Sequence, residues 1–421
     1  MQLQTGTVAM VLAGGRVDDL GPLTFYRPKS AMPFGGFARI IDFPLSNLMH
    51  SGLSRVGILS QYHSYSLINH IGIGASWDMT GSNRSISILP PFQGSQDTSW
   101  YLGSADAVYQ NLDFIRYHDP ENVLILSGDH VYNMDYGEII GFHQEQRADL
   151  TIAFVKTPRE SAGRFGMAEI DEEGGSEGGK VLSYEEKTAL PKGEWASMTI
   201  YCFKPEILYR ALDANAAEND SHEFGRDIIP RLLAEKRRVY GYKFAGYWGY
   251  ARSVDEYRQT NMDLLGPNPV IPLRQWNLRT NLDHRRLRDR PPLKLGRESA
   301  VANSLIYNGC TIEGEVENSI IFPGVRVGKG SKVRNSIIFF DNEISEECRL
   351  NRVISDIGNT FERGCAIGGH VTKPADSGKI TVLGRKNRIP AETLIESGFV
   401  LFPEMPTEEI PLILGKQKVR T

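Results

Sequence analysis

Four cysteines in 421 residues are too few for a disulfide framework. Cys202, Cys310, Cys348 and Cys365 form no Cys-x-x-Cys pair, so structural zinc is also set aside and a reducing compartment is expected. No apolar run reaches 18 residues, which leaves no candidate for a membrane-spanning helix. Met1–Met10 lacks a basic stretch leading into an apolar one, so no secretory leader is expected and the chain reads as cytoplasmic. An excess of one charge is missing too. Lys plus Arg total 47 against 51 for Asp plus Glu, a formal net charge of -4. That balance offers no global field for nucleic acid or a membrane surface, although a local phosphate site stays open.

What is present is ordinary globular composition, 41% hydrophobic and 23% charged, which excludes disordered and fibrous classes. The N-terminal part alternates short apolar strands with helix-length spacers. Val8–Leu12, Val56–Leu59, Asn122–Leu126 and Leu150–Phe154 read as strands, with a helical stretch around Ser64–His70. This predicts a Rossmann-like, mostly parallel sheet, whose ligands bind beyond the carboxyl ends of the strands. Gly266–Pro292 is rich in proline and carries Arg285, Arg286, Arg288 and Arg290, so it reads as a linker. The arginine cluster reads as a solvated surface, with an anion site as the alternative.

From Ala300 one phrase recurs: Asn303-Ser304-Leu305-Ile306, Asn318-Ser319-Ile320-Ile321 and Asn335-Ser336-Ile337-Ile338, with Asn351-Arg352-Val353-Ile354 as a weaker copy. The steps are 15, 17 and 16 residues, and aliphatics recur every six within them. Three short strands per coil give this period, which predicts a left-handed parallel β-helix of hexapeptides. The expected domains are therefore 1–265, a linker at 266–299 and 300–421.

The chemistry-bearing residues begin at Leu12-Ala13-Gly14-Gly15, a glycine pair straight after a strand. Such a pair lets backbone N–H groups approach a phosphate, with Arg27 and Lys29 nearby to neutralise it. Asp129 follows another strand, where a carboxylate suits a hard cation. With Pro33-Phe34-Gly35-Gly36, Arg39–Asn47, Ser60-Gln61-Tyr62, Gly103–Asn111, Gly128–Tyr136, Tyr184–Lys187 and Phe224–Pro230, these stretches resemble the ADP-glucose pyrophosphorylase family over essentially the whole chain.

That resemblance implies a reaction in which glucose 1-phosphate attacks the α-phosphate of ATP, giving ADP-glucose and pyrophosphate. It implies a nucleotide site of Leu12, Ala13, Gly14, Gly15, Gln61, Gly103, Ser104, Ala105 and Asp106. It implies a sugar-phosphate site of Glu186, Lys187, Ser197 and Asp227. Asp129, Lys29 and Arg27 would serve catalysis, with Asp129 also holding Mg²⁺. Tetramers are implied, either of one chain type or of a catalytic paralogue and a degraded partner, with a small phosphorylated or other metabolite as effector.

The departures from the family pattern fall at the reaction centre. Val17 stands where a glycine belongs, and Asp19 where the family has its arginine. Tyr250 replaces the second metal aspartate in Tyr247-Trp248-Gly249-Tyr250-Ala251-Arg252-Ser253. Ser30, Phe37 and Thr199 replace a proline, a lysine and a glycine. Loss of one charge-stabilising group costs on the order of 10²–10³ in rate, and reversal of its sign costs more. The expectation is a non-catalytic or weakly catalytic, modulating subunit. One alternative is an active enzyme in which Arg16, Lys29 or Arg252 stands in for the arginine and Asp18 or Asp19 for the metal ligand. A distant one is a hexapeptide acyltransferase or sugar-nucleotide sensor, for which His370 is the one histidine near the end of the repeats.

Overall fold

The structure is a computed structural model that describes residues 6–15, 18–82, 84–91, 100–171, 175–218, 221–369 and 378–417. Arg16, Val17 and His370, singled out above, lie outside the described residues. Contacts divide the chain into two compact units interleaved in sequence. Residues 1–15, 43–64 and 71–248 make the first; residues 16–42, 65–70 and 249–421 make the second. The segment after the first glycine pair is counted with the C-terminal repeats.

The first unit is built on a nine-stranded sheet: β1 (Thr7–Leu12), β2 (Arg55–Leu59), β3 (Ser85–Leu89), β4 (Asn122–Ser127), β5 (Leu150–Lys156), β6 (Gly166–Ile170), β7 (Gly178–Glu186), β8 (Trp195–Phe203) and β9 (Val239–Phe244). Their order is β3-β2-β1-β4-β8-β5-β9-β7-β6. The four strands β3-β2-β1-β4 are all parallel. β8 and β7 run against the rest, so the sheet is mostly parallel in direction but mixed in its second half. Continuous apolar runs explain the parallel half: Val8, Met10, Val123 and Ile125 are fully buried in the main core, as strands covered on both faces require. The order reverses between β1 and β4, and that switch point is where such sheets open a crevice.

The second unit contains three six-stranded parallel sheets, opening on Lys294–Leu295, Ala300–Ala302 and Leu305–Ile306. They close on Arg388–Ile389, Leu394–Ile395 and Val400–Leu401, completing a left-handed parallel β-helix. The period-six aliphatics Ile312, Val327, Val333, Ile344 and Leu350 fill its axis. Helix Glu409–Gln417 closes one end by placing Ile410, Ile413 and Leu414 on that core.

The recurring Asn-Ser phrase has a hydrogen-bonding cause. Asn303, Asn318 and Asn335 take left-handed backbone at the corners, φ 42°, 48° and 50°, a conformation asparagine tolerates better than most residues. Their side-chain amides donate in sequence, Asn303 to Asn318, Asn318 to Asn335 and Asn335 to Asn351, at 2.9, 2.7 and 3.0 Å. Each following serine Oγ accepts the N–H of the next coil. The weaker copy is shifted by one residue: Arg352, not Asn351, holds the corner at φ 56°, and Ile337 pairs with Ile354. The helix also starts earlier than Ala300, since Lys294 already pairs with Thr311. Before it, residues 266–293 are packed rather than loose, with Ile271, Thr280 and His284 buried. Two of their arginines face Asp341, Arg290 donating to it at 2.7 Å and Arg286 lying 4.0 Å away, while Arg285 and Arg288 are exposed.

Segment 18–42 is fixed within this unit by a buried ion pair. The Arg27 guanidinium donates to both oxygens of Asp356 at 2.7 Å, with both residues almost fully buried. Arg27 Nη2 thus holds this segment to the C-terminal repeats. Breaking a buried pair from one side strands the other charge, at about 3–5 kcal/mol. Asp356→Asn is therefore expected to lower unfolding stability by about that amount, read as a shift in denaturant midpoint. A change below about 1 kcal/mol would mean the pair is not holding the segment.

Candidate functional site

In the first unit the candidate residues gather at the carboxyl ends of β1, β2 and β4. Ala13 donates its N–H to Leu59, and Gly128 donates to Leu12, both at 2.9 Å. The two loops therefore flank the switch point. Gly14 is required by a close backbone approach, because a Cβ there would lie 2.6 Å from the Gln61 nitrogen. Gly15 has open space around it and is exposed.

Gln61 is oriented by Tyr101, part of the Trp100-Tyr101 stretch that also resembles the family but carries no assigned role there. Its Oε1 accepts the Tyr101 N–H at 2.6 Å. Tyr101 is held in turn by its hydroxyl, which donates to Leu89 and accepts from Asn111, each at 3.0 Å. Burial pushes the Tyr101 phenol above its ordinary value, so it stays protonated near neutrality. With its oxygen engaged, Gln61 turns its amide nitrogen outward as a donor.

Gly103, Ser104, Ala105 and Asp106 form the start of helix Ser104–Tyr109, and their polar groups are engaged internally. Asp106 accepts the Leu102 N–H at 2.8 Å, and Ser104 Oγ accepts the Phe224 N–H at 3.1 Å. A Cβ on Gly103 would lie 2.3 Å from the His222 oxygen. Asp227 is used in the same way, accepting from Ser221 Oγ and the Glu223 N–H at 2.8 and 2.7 Å. These residues shape and join two loops.

Glu186 and Lys187 end β7 as a built site. The Tyr184 hydroxyl donates to Glu186 Oε2 at 2.8 Å, and Lys187 Nζ lies 3.6 Å from Oε1. Gly166 and Gly225 make room for this pair, since a Cβ on Gly225 would sit 2.3 Å from Glu186 Oε2. Burial, then the neighbouring Tyr201 and Glu186, raises the Tyr184 phenol well above its usual value. Ser197 is buried beside these groups. The exposed Lys187 is the one cation of the set. Asp129 is half-buried, accepts from Ser127 Oγ and lies 3.3 Å from His130 Nε2. His130 is buried edge-on to Trp248, with ring centroids 5.3 Å apart, and so is a packing group.

In the second unit, two of the anomalous positions meet. Arg252 Nη1 donates to the Tyr250 hydroxyl at 2.8 Å, and its Nε lies 3.8 Å from Asp19 Oδ2. The buried Lys29 ammonium lies 4.9 Å from the centroid of the same Tyr250 ring. A phenol oxygen that accepts from a guanidinium is unsuited to a dication. Among the described residues no group of three or more His, Cys, Asp or Glu could hold a metal ion. Mg²⁺ is commonly held by one or two carboxylates together with substrate phosphates, and Asp129 is the carboxylate that would hold it here.

Comparison with known proteins places this geometry. A family model described as nucleotidyl transferase matches residues 8–266, and a GlmU-like C-terminal hexapeptide model matches residues 292–385. A glucose-1-phosphate adenylyltransferase of Desulfitobacterium hafniense is 41% identical over 93% of this chain and 96% of its own length. Those of Geobacillus stearothermophilus and Thermotoga neapolitana are 42% and 43% identical, each over 78% of this chain and over 83% and 76% of their own lengths. The chain belongs to the glucose-1-phosphate adenylyltransferase family. No helix among its described residues is long and apolar enough to cross a membrane.

Two further departures from the family pattern have visible structural counterparts. Phe37, in the place of a lysine, stacks on Tyr307 with centroids 5.4 Å apart. Thr199, in the place of a glycine, sits at φ 54°, inside an irregularity of the β8–β5 pairing. Left-handed backbone costs a β-branched residue about 1–2 kcal/mol, while glycine gives back about 0.5–1 through chain entropy. Thr199→Gly is therefore expected to leave stability unchanged or raise it by up to about 1 kcal/mol. A denaturation midpoint lowered by more than that would show that the threonine side chain is needed.

Proposed function

We propose that this chain is an ADP-glucose pyrophosphorylase subunit with little or no turnover of its own, which binds nucleotide and sugar phosphate and modulates a catalytic paralogue in a heterotetramer for glycogen or starch synthesis. The reaction of the assembly is ATP plus glucose 1-phosphate to ADP-glucose plus pyrophosphate, as the relatives' name implies. The observation that carries this reading is the Asp19–Arg252–Tyr250 chain. It places a carboxylate and a phenol at positions where the family uses a catalytic arginine and a metal-binding aspartate.

The binding residues keep their chemistry. Leu12–Gly15 supply an open backbone loop, and Gln61 supplies an oriented amide for the base. Gly103–Asp106 frame the nucleotide side, and Ser197 and Asp227 frame the sugar side. Glu186 and Lys187 take the sugar and its phosphate. Asp129 is the single carboxylate left at the family's metal position. Arg27, buried on Asp356, contributes to the frame and not to the reaction. Effector response in such an assembly is a coupling between sites, so a subunit without turnover can still set it. A second reading, an active enzyme with altered chemistry, draws on one feature: Arg252 and Lys29 still bring two cations to Tyr250.

A pyrophosphate-release assay separates the two. Alone, the chain is expected to give at most about 10⁻² of the paralogue's rate, and mixing is expected to change the paralogue's activator response. Robust turnover alone, abolished by Asp129→Ala, would establish the second reading. No change on mixing would overturn the modulating role. Restoring turnover is expected to need Arg252→Gly together with Val17→Gly, Asp19→Arg and Tyr250→Asp, because Arg252 otherwise still occupies the Tyr250 site. Equal gain without the Arg252 change would show that the guanidinium is no obstacle.

A further inference from the structure

The corner column of the β-helix changes character at Arg352. The N–H groups of Asn318, Asn335 and Arg352 donate in turn to the carbonyls of Ala302, Glu317 and Arg334, each at 3.1 Å. Arg352 is therefore the counterpart of the two asparagines, in the same left-handed backbone at φ 48°, 50° and 56°. Asparagine tolerates that conformation better than arginine does. The asparagine ladder also stops here. Asn351 Oδ1 accepts from Asn335 at 3.0 Å, and among the described residues the Asn351 amide nitrogen has no acceptor.

A second guanidinium is fixed to the same corner. Arg258, on helix Val254–Met262, donates its Nε to the Asn335 carbonyl at 3.0 Å. Neighbouring strands of a sheet lie about 4.8 Å apart, so Arg258 is anchored one coil from Arg352. Both side chains are half-buried. Among the described residues neither forms a salt bridge, and Arg352 Nε is buried without a hydrogen-bond partner. Arg334, on the adjoining strand, differs: it lies 3.6 and 3.1 Å from Glu315 and Glu317. Burial, then the charge of Arg352, lowers the Arg258 pKa below its ordinary value, with Asp255 opposing. Like charges held this way repel, and a buried donor without an acceptor is costly.

The chemistry that satisfies such a corner is anionic. It carries two negative charges for two guanidiniums and several acceptor oxygens for their N–H groups and the amide. A phosphate dianion has both, and its oxygens match the guanidinium fork. We propose that Arg258, Asn351 and Arg352 form a binding site for a phosphate dianion, free or as the monoester of a small metabolite. The three residues belong to one unit and have no part in the nucleotide, sugar or metal positions described above.

The test is equilibrium dialysis of the full chain against radiolabelled inorganic phosphate, with Lys187→Ala as the background so that the sugar-phosphate residues do not contribute. Arg352→Asn is the informative variant, because the equivalent corners already carry asparagine. It is expected to weaken phosphate binding by about ten-fold or more, with an unchanged or raised denaturation midpoint. Arg352→Lys is expected to recover only part of the affinity, because the fork is lost. Arg258→Gln is expected to weaken binding in the same way. Competition by glycerol 3-phosphate stronger than by unlabelled phosphate identifies the monoester as the occupant; the reverse order identifies free phosphate. Absence of phosphate binding, or binding indifferent to both Arg352→Asn and Arg258→Gln, overturns the inference. A clearly lowered midpoint in Arg352→Asn gives that arginine a structural role and overturns it as well.

Discussion

The Arg27–Asp356 pair is the constraint on which the second unit's arrangement rests. Segment 18–42 has little regular structure of its own: short turns and a two-residue ribbon, Pro33–Phe34 against Ala38–Arg39. Such a segment holds a shape only when something else fixes it. The buried ion pair fixes its middle. Around it, Ile41 donates to Ser30, Tyr257 donates to Pro33, and Gly35 donates to Asn261. Lys29 follows two residues after Arg27, so its position beneath Tyr250 is a consequence of the same anchor. A site that must control charge at short range benefits from this stiffness, because electrostatic effects fall away once groups can relax.

The charges at that site have been exchanged, not simply removed. Where the family pattern puts a cation on the loop and an anion after the Tyr-Trp pair, this chain has Asp19 on the loop and Arg252 after the pair. The two face each other, so the local sum is kept while the chemistry is altered. Both side chains are substantially exposed, so neither is a buried charge that needs the other. The sugar side shows no such exchange. Tyr184, Glu186 and the two glycines that accommodate them form a closed arrangement in which each polar group has a role.

Much of this was legible in the sequence, for definite reasons. The four apolar strands and the six-residue spacing of Ile312, Val327 and Val333 are patterns in burial, and burial follows from sequence period. The loops at Gly14 and Asp129 followed from strand ends. What could not be read is what depends on distant partners. Nothing local in Arg27 announces Asp356, and only the fold shows that the Gln61 oxygen is taken by Tyr101. Nor does the sequence show that Gly14 packs against the Gln61 backbone. The internal bonds of Ser104, Asp106 and Asp227 are likewise visible only in the fold. The slip at Asn351 came from matching letters where the corner conformation decides the register.

The asparagine ladder of the β-helix carries a consequence for how this protein can vary in length. Successive coils are registered by bonds between equivalent corners, so a coil is free to differ from its neighbours wherever it leaves the ladder. The steps of 15 and 17 residues between pairing partners show this tolerance on a small scale. The last coil shows it on a large one: Thr360 pairs with Arg388, 28 positions on, and the core below Ile389 remains continuous. The stack thus behaves like a spiral staircase whose landings can be widened without moving the steps. New surface can be added at such a corner while the load on the column stays the same.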